Sequence, residues 1–485
     1  MPLLWVLPLM VYLGTYVLAF AGISLFSPRI LRVLISITVI AMALAQIDVI
    51  QDYWGLNANV EIALITIYLF GQFFLSLACH EALYARRPQT FRLTKFYVAV
   101  AIGGLTGGAF NAVIAPQLFT GPIEFSIAIV LAIALSRRPW EPLLPANNTL
   151  TILMAVGLIG GFSGLAILYV FPDFGLHLPT LFWRAAANQT IWAAACVGLI
   201  VLIRFPMVQA GALALGLVAT NMFMDNHGQI HAERSFFGTI RVVNDYRDGV
   251  RAIKHGTTHH GAQNLYPPIW DEPLSYFGDN SPISEVFSHF DGELAGGSIG
   301  VVGVGAGTLA CYHQPGQTWR YYEIDPVIVR IATDPEFFTY ISGCNPDASV
   351  ANGSILIGDA RIQISQGHEK FDLLILDAFT SDAIPLHLLT LEAMQVYLEH
   401  LEPDGLLAIH ISNRHIDLKP ALSRGAKELG LSLIFGESTT KTRKKSNSDW
   451  LLIARNDAAL KAVLDTQASS IEWTRYATQH DGRLF

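Results

Sequence analysis

Acidic residues are nearly missing from the first half of this 485-residue chain: before Asp225 there are only Asp48, Asp52, Glu61, Glu81, Glu124, Glu141 and Asp173. Cysteine is scarce as well, and Cys79, Cys196, Cys311 and Cys344 show neither a CxxC nor a metal-type spacing. The spacing excludes a recognisable zinc site and a disulfide framework, so these residues read as plain buried thiols. A basic face is missing too. With a net charge of −8 and a pI near 6.0 there is no basis for a nucleic-acid partner, and the short run Lys441 to Lys445 reads as a solvated loop.

What is abundant is apolar side chain: 52% of residues are hydrophobic and the mean hydropathy is +0.41, too apolar for an ordinary soluble protein. The excess lies before residue 225. A spanning helix needs about 20 apolar residues at about 1.5 Å each. Segments at 3–25, 32–50, 60–80, 96–118, 148–172 and 186–204 meet that requirement, and shorter ones lie at 122–136 and 206–223. The first lacks the basic n-region of a signal peptide and is followed by further apolar runs, so it reads as a membrane helix. Loops carrying Arg29 and Arg32, then Arg86, Arg87, Arg92 and Lys95, then Arg137 and Arg138, then Arg204 are cytoplasmic by the positive-inside rule, which puts the N-terminus outside. Eight crossings would then leave the C-terminal domain outside as well. Seven effective crossings, or a misread last pair, put it in the cytoplasm, and a multi-pass protein of the inner cell membrane with a cytoplasmic catalytic domain is the expectation.

Within the bundle, Asn111, Asn188 and Gln189 lie in segments, and Asp48 and Glu124 near segment ends. Amides in lipid commonly serve as interhelical glue, which outweighs a transport path here. Gly103, Gly104, Gly107 and Gly108, and Gly157, Gly160, Gly161 and Gly164, suit close helix packing.

The domain layout is therefore 1–224 transmembrane helical, with seven or eight segments, 225–295 a β-rich lead-in, and 296–485 a Rossmann-like α/β domain. In the lead-in a strand is expected over Phe236 to Val243, and the stretch from His255 to Gln263 reads as a β-hairpin bordering a site. His255, His259 and His260 lack a carboxylate or cysteine to complete a ligand set, so no metal is expected. Thr257, Thr258 and Gln263 are candidates for neutral hydrogen bonds.

The α/β domain is built on Ser298 to Val304, a short apolar strand running into a turn with glycines at 303, 305 and 307. Thr308 to Gln314 is expected to start a helix. Further strands are expected at Trp319 to Ile324, Ser354 to Ile357, Phe371 to Leu376 and Gly405 to Ser412, and Leu431 to Phe435 with Asp449 to Arg455 as a terminal hairpin. Strands alternating with helices at these spacings require a mainly parallel sheet. Position 308 is Thr, so the GxGxxG dinucleotide fingerprint is not met, and no GxxxxGK[ST] phosphate loop is present. Glu323, Asp359 and Asp377, however, stand at successive strand ends, where ligands of open α/β sheets bind. Glu323 is placed to accept two ribose hydroxyls, and the Asp359-Ala360 turn to meet an adenine amino group. This combination favours a nucleoside without a pyrophosphate, such as S-adenosylmethionine.

In order, Gly303-x-Gly305-x-Gly307, Tyr322-Glu323-Ile324-Asp325-Pro326, Gly358-Asp359-Ala360-Arg361 and Phe371 to Asp377 resemble the motifs of the polyamine aminopropyltransferases, the spermidine synthase family. The resemblance runs over roughly 233 to 456, and the layout looks like that family's membrane-fused bacterial branch. It implies transfer of an aminopropyl group from decarboxylated S-adenosylmethionine to a small-molecule amine, with release of methylthioadenosine and no metal. Asp377 would be the catalytic acid that deprotonates the amine. Gln263, Gly303, Gly305, Gly307, Glu323, Asp359 and Ala360 would hold the donor, and Asp382, Tyr276 and Glu285 the acceptor. The lipid bilayer is the other expected partner, and homo-oligomerisation is left open.

Two departures bear on the acceptor. The family's second acid with a following proline is replaced by Ser381-Asp382-Ala383-Ile384-Pro385, and its Tyr-His-Glu by Ile283-Ser284-Glu285. Both losses suit an acceptor less cationic than putrescine, or one delivered from the membrane. A methyltransferase using intact S-adenosylmethionine is the nearest enzymatic alternative, and a polyamine or nucleoside transporter or sensor with a synthase-like regulatory domain is the alternative of another class. Asp377 also suits a helix N-cap, and His387 and His410 read as hydrogen-bonded structural histidines.

Overall fold

The computed structural model describes residues 6–45, 58–135, 207–214, 228–256, 258–266, 271–279, 281–289, 296–379, 384–412, 417–438, 447–465 and 471–475. The chain divides into two compact units, Met1–His227 and Gly228–Phe485.

The described residues of the first unit form helices, Val6–Phe20, Pro28–Ala45, Ala58–Ala85, Leu93–Ala109 and Ile123–Leu135 among them, joined by short turns. Two stretches, Ile62–Ala85 and Thr90–Leu118, are long and apolar enough to cross a membrane. The second is broken by a π turn at Phe110–Ile114, which contains Asn111. No described residue approaches a Cβ built on Gly103, Gly104, Gly107 or Gly108, so the packing expected of these glycines is not made among the described residues. The expected segments 148–172 and 186–204, with Asn188, Gln189 and the second glycine cluster, lie outside the described residues, as does Asp48.

The second unit opens with an antiparallel sheet of four strands in sequence order: β1 Gln229–Ser235, β2 Gly238–Asp245, β3 Val250–His255 and β4 Thr258–Asn264. Where one strand, Phe236 to Val243, is expected from sequence, Phe236 and Phe237 instead turn a hairpin between β1 and β2. In β2 the buried Ile240 and Val242 alternate with less buried neighbours, as a sheet with one covered face requires.

Eight strands form the main sheet in the order β12-β10-β11-β9-β8-β5-β6-β7. They are β5 Ser298–Val302, β6 Thr318–Glu323, β7 Ile355–Ile357, β8 Phe371–Leu376, β9 Leu401–His410, β10 Ser432–Ser438, β11 Asp449–Ala454 and β12 Ile471–Thr474. β5 to β9 are parallel, and β11 enters antiparallel between β9 and β10. This is a Rossmann-like fold with a mixed sheet. The central strands are continuous apolar runs because both faces are covered. Leu373 and Ile375 of β8 join the core beneath helices Pro282–His289, Pro326–Thr333 and Asp457–Asp465, while Leu374 and Leu376 join the core under Ala360–Gln366, Leu391–Glu399 and Lys419–Glu428.

Two further expectations need correction. Where Thr308 to Gln314 is expected to start a helix, the chain makes only a short 3-10 helix, Thr308–Tyr312, before β6. Cys311 and Cys344 form a disulfide with their Cα atoms 4.8 Å apart; spacing in sequence could not show that the turn packs on the helix Tyr340–Cys344. Cys79 remains a thiol.

Candidate functional site

The order of strands reverses between β5 and β8, and in such sheets the crevice outside the carboxyl ends at that point takes the ligand. The glycine turn leaves β5 there. Gly303, Gly305 and Gly307 have φ of +95°, +54° and +82°, a region that disfavours any side chain. A Cβ on Gly303 would collide with the backbone carbonyl of Asp377, and one on Gly305 would lie 2.5 Å from the carbonyl of His260. The glycines thus let the turn nest between the end of β8 and strand β4.

Beside the turn is a cavity of about 210 Å³ whose lining includes Gly303, Gly305, Glu323, Asp325, Asp359, Ala360, Asp377 and Tyr276. Glu323, at the end of β6, accepts the backbone N–H of Val304 at 2.9 Å and of Asp325 at 3.0 Å. Burial raises its carboxyl above the ordinary range, and these two donors act against that rise. Asp325 caps helix Pro326–Thr333, whose first residue is the proline that needs no N–H partner. Asp359 caps Ala360–Gln366 by accepting the Ile362 N–H at 3.1 Å, and its other oxygen meets His387 Nε2 at 2.9 Å.

Asp377 directly follows β8, its N–H bonded to Val302 of β5 at 2.8 Å. Its carboxylate Oδ1 lies 2.5 Å from His410 Nδ1, and His410 Nε2 lies 2.8 Å from Ser412 Oγ. Both side chains are nearly buried, with 9% of Asp377 and 4% of His410 exposed. Desolvation raises the Asp377 carboxyl, and His410 pulls it back down. Tyr276 packs 4.8 Å from the His410 ring, and burial followed by the Asp377 charge drives its phenol well up, so it stays a neutral hydrogen-bonding wall. Histidines and aromatics complete that side: Phe237, His255, His260 and Phe379. His255 is fixed by Phe237 O at 2.7 Å, and the half-buried His259 is pushed down to about 4 by desolvation and Lys254, which keeps it neutral.

The structure therefore brings together Tyr276, Gly303, Gly305, Glu323, Asp359, Ala360 and Asp377. It does not bring Gln263, Gly307 or Glu285 to this cavity. Gln263 exchanges two hydrogen bonds with Thr339, 2.8 and 3.0 Å, and lines a separate depression with Arg251 and Phe337. Gly307 packs against Ile341, and Glu285 accepts the Trp473 indole N–H at 2.7 Å. Ile283 is core and Ser284 bonds back to Asp279 and Ser281. Asp382 and Thr257 lie outside the described residues. Among the described residues no group of three or more histidine, cysteine or acidic side chains is arranged to hold a metal.

His387 and His410, expected from sequence as hydrogen-bonded structural histidines, are hydrogen-bonded, His387 to Asp359 and His410 to Asp377; what the sequence did not show is that both partners line the cavity. The signal was available for His410: it ends the apolar run Leu406 to Ile409, at the carboxyl edge of the strand beside β8.

No family model and no curated protein matches the chain. Among solved structures, it is similar to the spermidine synthase of Thermotoga maritima, at 15% identity over 48% of this chain and 75% of that one, with a TM-score of 0.36. It is similar to a probable spermidine synthase from Corynebacterium glutamicum, at 16% over 51% and 90%, with 0.38. Human methyltransferase-like protein 13, solved in complex with SAH, gives 18% over 38% and 89%, with 0.28. At such identities and scores these likenesses add nothing to the fold already read from the strand order.

Proposed function

We propose that the C-terminal unit is a transferase that takes S-adenosylmethionine, in its decarboxylated form, and moves the aminopropyl chain onto an amine with release of methylthioadenosine. The observation that carries this reading is the convergence, in one cavity at the switch point, of an empty-faced glycine turn, a ribose-type acid at Glu323 and a buried carboxylate at Asp377. Glu323 suits the two ribose hydroxyls, and the Asp359-Ala360 turn with His387 suits the adenine edge. The glycine turn admits close backbone approach without meeting the full GxGxxG fingerprint of dinucleotide folds, whose third glycine serves close helix–strand packing.

An ammonium has no lone pair, so the acceptor must lose a proton before it attacks. Asp377 stands at the strand end to take it. The amine nitrogen then forms a bond to the carbon next to sulfur, the C–S bond breaks, and its electron pair converts the sulfonium to a neutral thioether. Holding nucleophile and sulfonium in line supplies much of the remaining gain. The wall of Tyr276, Phe379, His255 and His260 is aromatic and weakly charged, which suits an acceptor with one amine on a flat or apolar body better than an extended polycation.

We also propose that the first unit holds the enzyme at a bilayer as a multi-pass domain, with the catalytic unit on the cytoplasmic side where the donor is made. The two apolar helices support attachment to a membrane. The test is incubation of the purified full chain with either form of the donor and a panel of amines, followed by mass spectrometry. Methylthioadenosine with an alkylated amine supports the reading. S-adenosylhomocysteine would make the protein a methyltransferase instead, and neither product would sink the enzyme reading.

A further inference from the structure

Among the polar groups that the transfer reading leaves unused, one chain of hydrogen bonds ends on the reactive carboxylate. The N–H of Asp449 donates to Ser412 Oγ at 2.8 Å, and Ser412 Oγ lies 2.8 Å from His410 Nε2. An ionised Asp377 Oδ1, 2.5 Å from His410 Nδ1, can only accept, which places the ring proton on Nδ1. The other nitrogen, Nε2, can then accept the hydrogen of Ser412 Oγ, which takes the Asp449 N–H on one of its lone pairs. The ring has no freedom to turn from this arrangement. Trp450, its cross-strand partner on β11, stacks on it at 4.7 Å with planes 11° apart, while Tyr276 and Phe379 close the remaining sides at 4.8 and 4.9 Å.

We propose that His410 is a positioning residue for the transfer, holding Asp377 by one oxygen and keeping it ionised so that the other oxygen is free to take the acceptor's proton. The inference rests on the transferase reading. Its physical content is a balance. A carboxylate this buried favours its protonated form, which is useless as a base; a fixed N–H donor from a tautomer pinned by Ser412 restores the charged form without adding an exposed charge. His410 does not line the cavity, so it acts through Asp377 and not on the substrate. In the reaction the proton passes from the acceptor's ammonium to Asp377 Oδ2, the N–C bond forms as the C–S bond breaks, and the proton leaves to solvent with the products.

Other titratable groups face the pair and must be held in view. Tyr276 faces Asp377 from the segment 271–279, and Asp449 faces His410 from β11, with Lys419 and Glu437 flanking Asp449 in turn. Removing His410 leaves all of these in place. The acidic limb of the kcat/KM profile should therefore rise in pH when only His410 is lost, because the burial of Asp377 is then unopposed.

The experiment compares full-chain wild type, His410→Ala, His410→Asn and Ser412→Ala. His410→Ala is expected to lose about 10²-fold in kcat, the scale of a well-placed acid or base, with its acidic limb moved to higher pH. His410→Asn keeps one N–H near the Nδ1 position and should recover part of both effects. Binding of methylthioadenosine, measured calorimetrically, should be unchanged in all variants, which separates the effect from misfolding. Histidine-selective nitrogen NMR supplies a readout that needs no turnover: the wild type should carry a ring proton on Nδ1, and Ser412→Ala should weaken that preference. A His410→Ala or His410→Asn protein with wild-type kcat and pH profile overturns the inference, as does an Nε2-protonated ring in the wild type. Absence of any transfer by the wild type would instead overturn the transferase reading.

Discussion

Glu323 accepts the backbone N–H of Val304 at 2.9 Å, so the acid at the end of β6 also fastens the turn that leaves β5. The two sides of the cavity are therefore one mechanical unit. A ligand that engages the carboxylate must do so alongside the backbone donors of Val304 and Asp325.

Glu323→Gln should therefore weaken methylthioadenosine binding by more than the loss of one ribose contact. The amide has one acceptor oxygen where two N–H groups wait, and an unmade hydrogen bond to a charged group costs about 1.5–3 kcal/mol. A tenfold or greater rise in the dissociation constant, read by calorimetry, is expected. An unchanged constant would show that the ribose lies elsewhere.

Gly303→Ala is expected to disable both binding and transfer. The substitution puts a side chain at φ +95° and drives its Cβ into the carbonyl of Asp377. The backbone strain alone is about 1–3 kcal/mol, and relief by movement displaces the carboxylate from the cavity. Gly430→Ala, also at positive φ but with open space around it, serves as the control for strain without a clash and should keep methylthioadenosine affinity.

Asp377→Asn should abolish most transfer, by about 10²–10⁴-fold if the carboxylate is the base, yet leave the fold as stable or more so. Burial raises the Asp377 carboxyl above its unfolded value. For a group with a raised folded pKa the stabilising contribution is complete below the unfolded pKa, about 3.9, and is lost as pH rises through the folded value. The variant cannot ionise, and its amide oxygen can still accept from His410. Thermal melts should thus show the variant gaining on the wild type as pH rises through that range; a variant that falls behind with rising pH would refute the assignment.

Cys311→Ser should lower stability without touching a residue that lines the cavity. The bridge closes a sequence separation of 33 residues, for which chain entropy gives about 3–4 kcal/mol. Mass spectrometry of the purified, air-oxidised, non-reduced protein should find the cross-linked peptide pair, and denaturant midpoints in the presence and absence of a dithiol reductant should differ by an amount the serine variant no longer shows. On the cytoplasmic side proposed above the pair would rest as two thiols and that stabilisation would be absent.

From sequence alone the site was legible wherever function sits at the end of a strand. The run Phe371 to Leu376 has to be a doubly covered strand, so Asp377 has to emerge at the sheet edge; the same logic places Glu323 at the end of β6 and Asp359 before its helix. Their shared cavity follows from the parallel order of strands. What sequence could not determine is anything set by segments that meet only in space. Gln263 and Glu285 looked available because nothing in their spacing reveals Thr339 or Trp473 as partners. Cys311 and Cys344 looked like unrelated thiols until the turn and the helix met. His410 looked structural for the same reason. Its strand is fixed by local apolar pattern, but its pairing with Asp377 depends on β9 lying beside β8 in register and on Trp450 across the ladder holding the ring in place. Local chemistry chose the residues at each strand end; tertiary packing decided which of them touch.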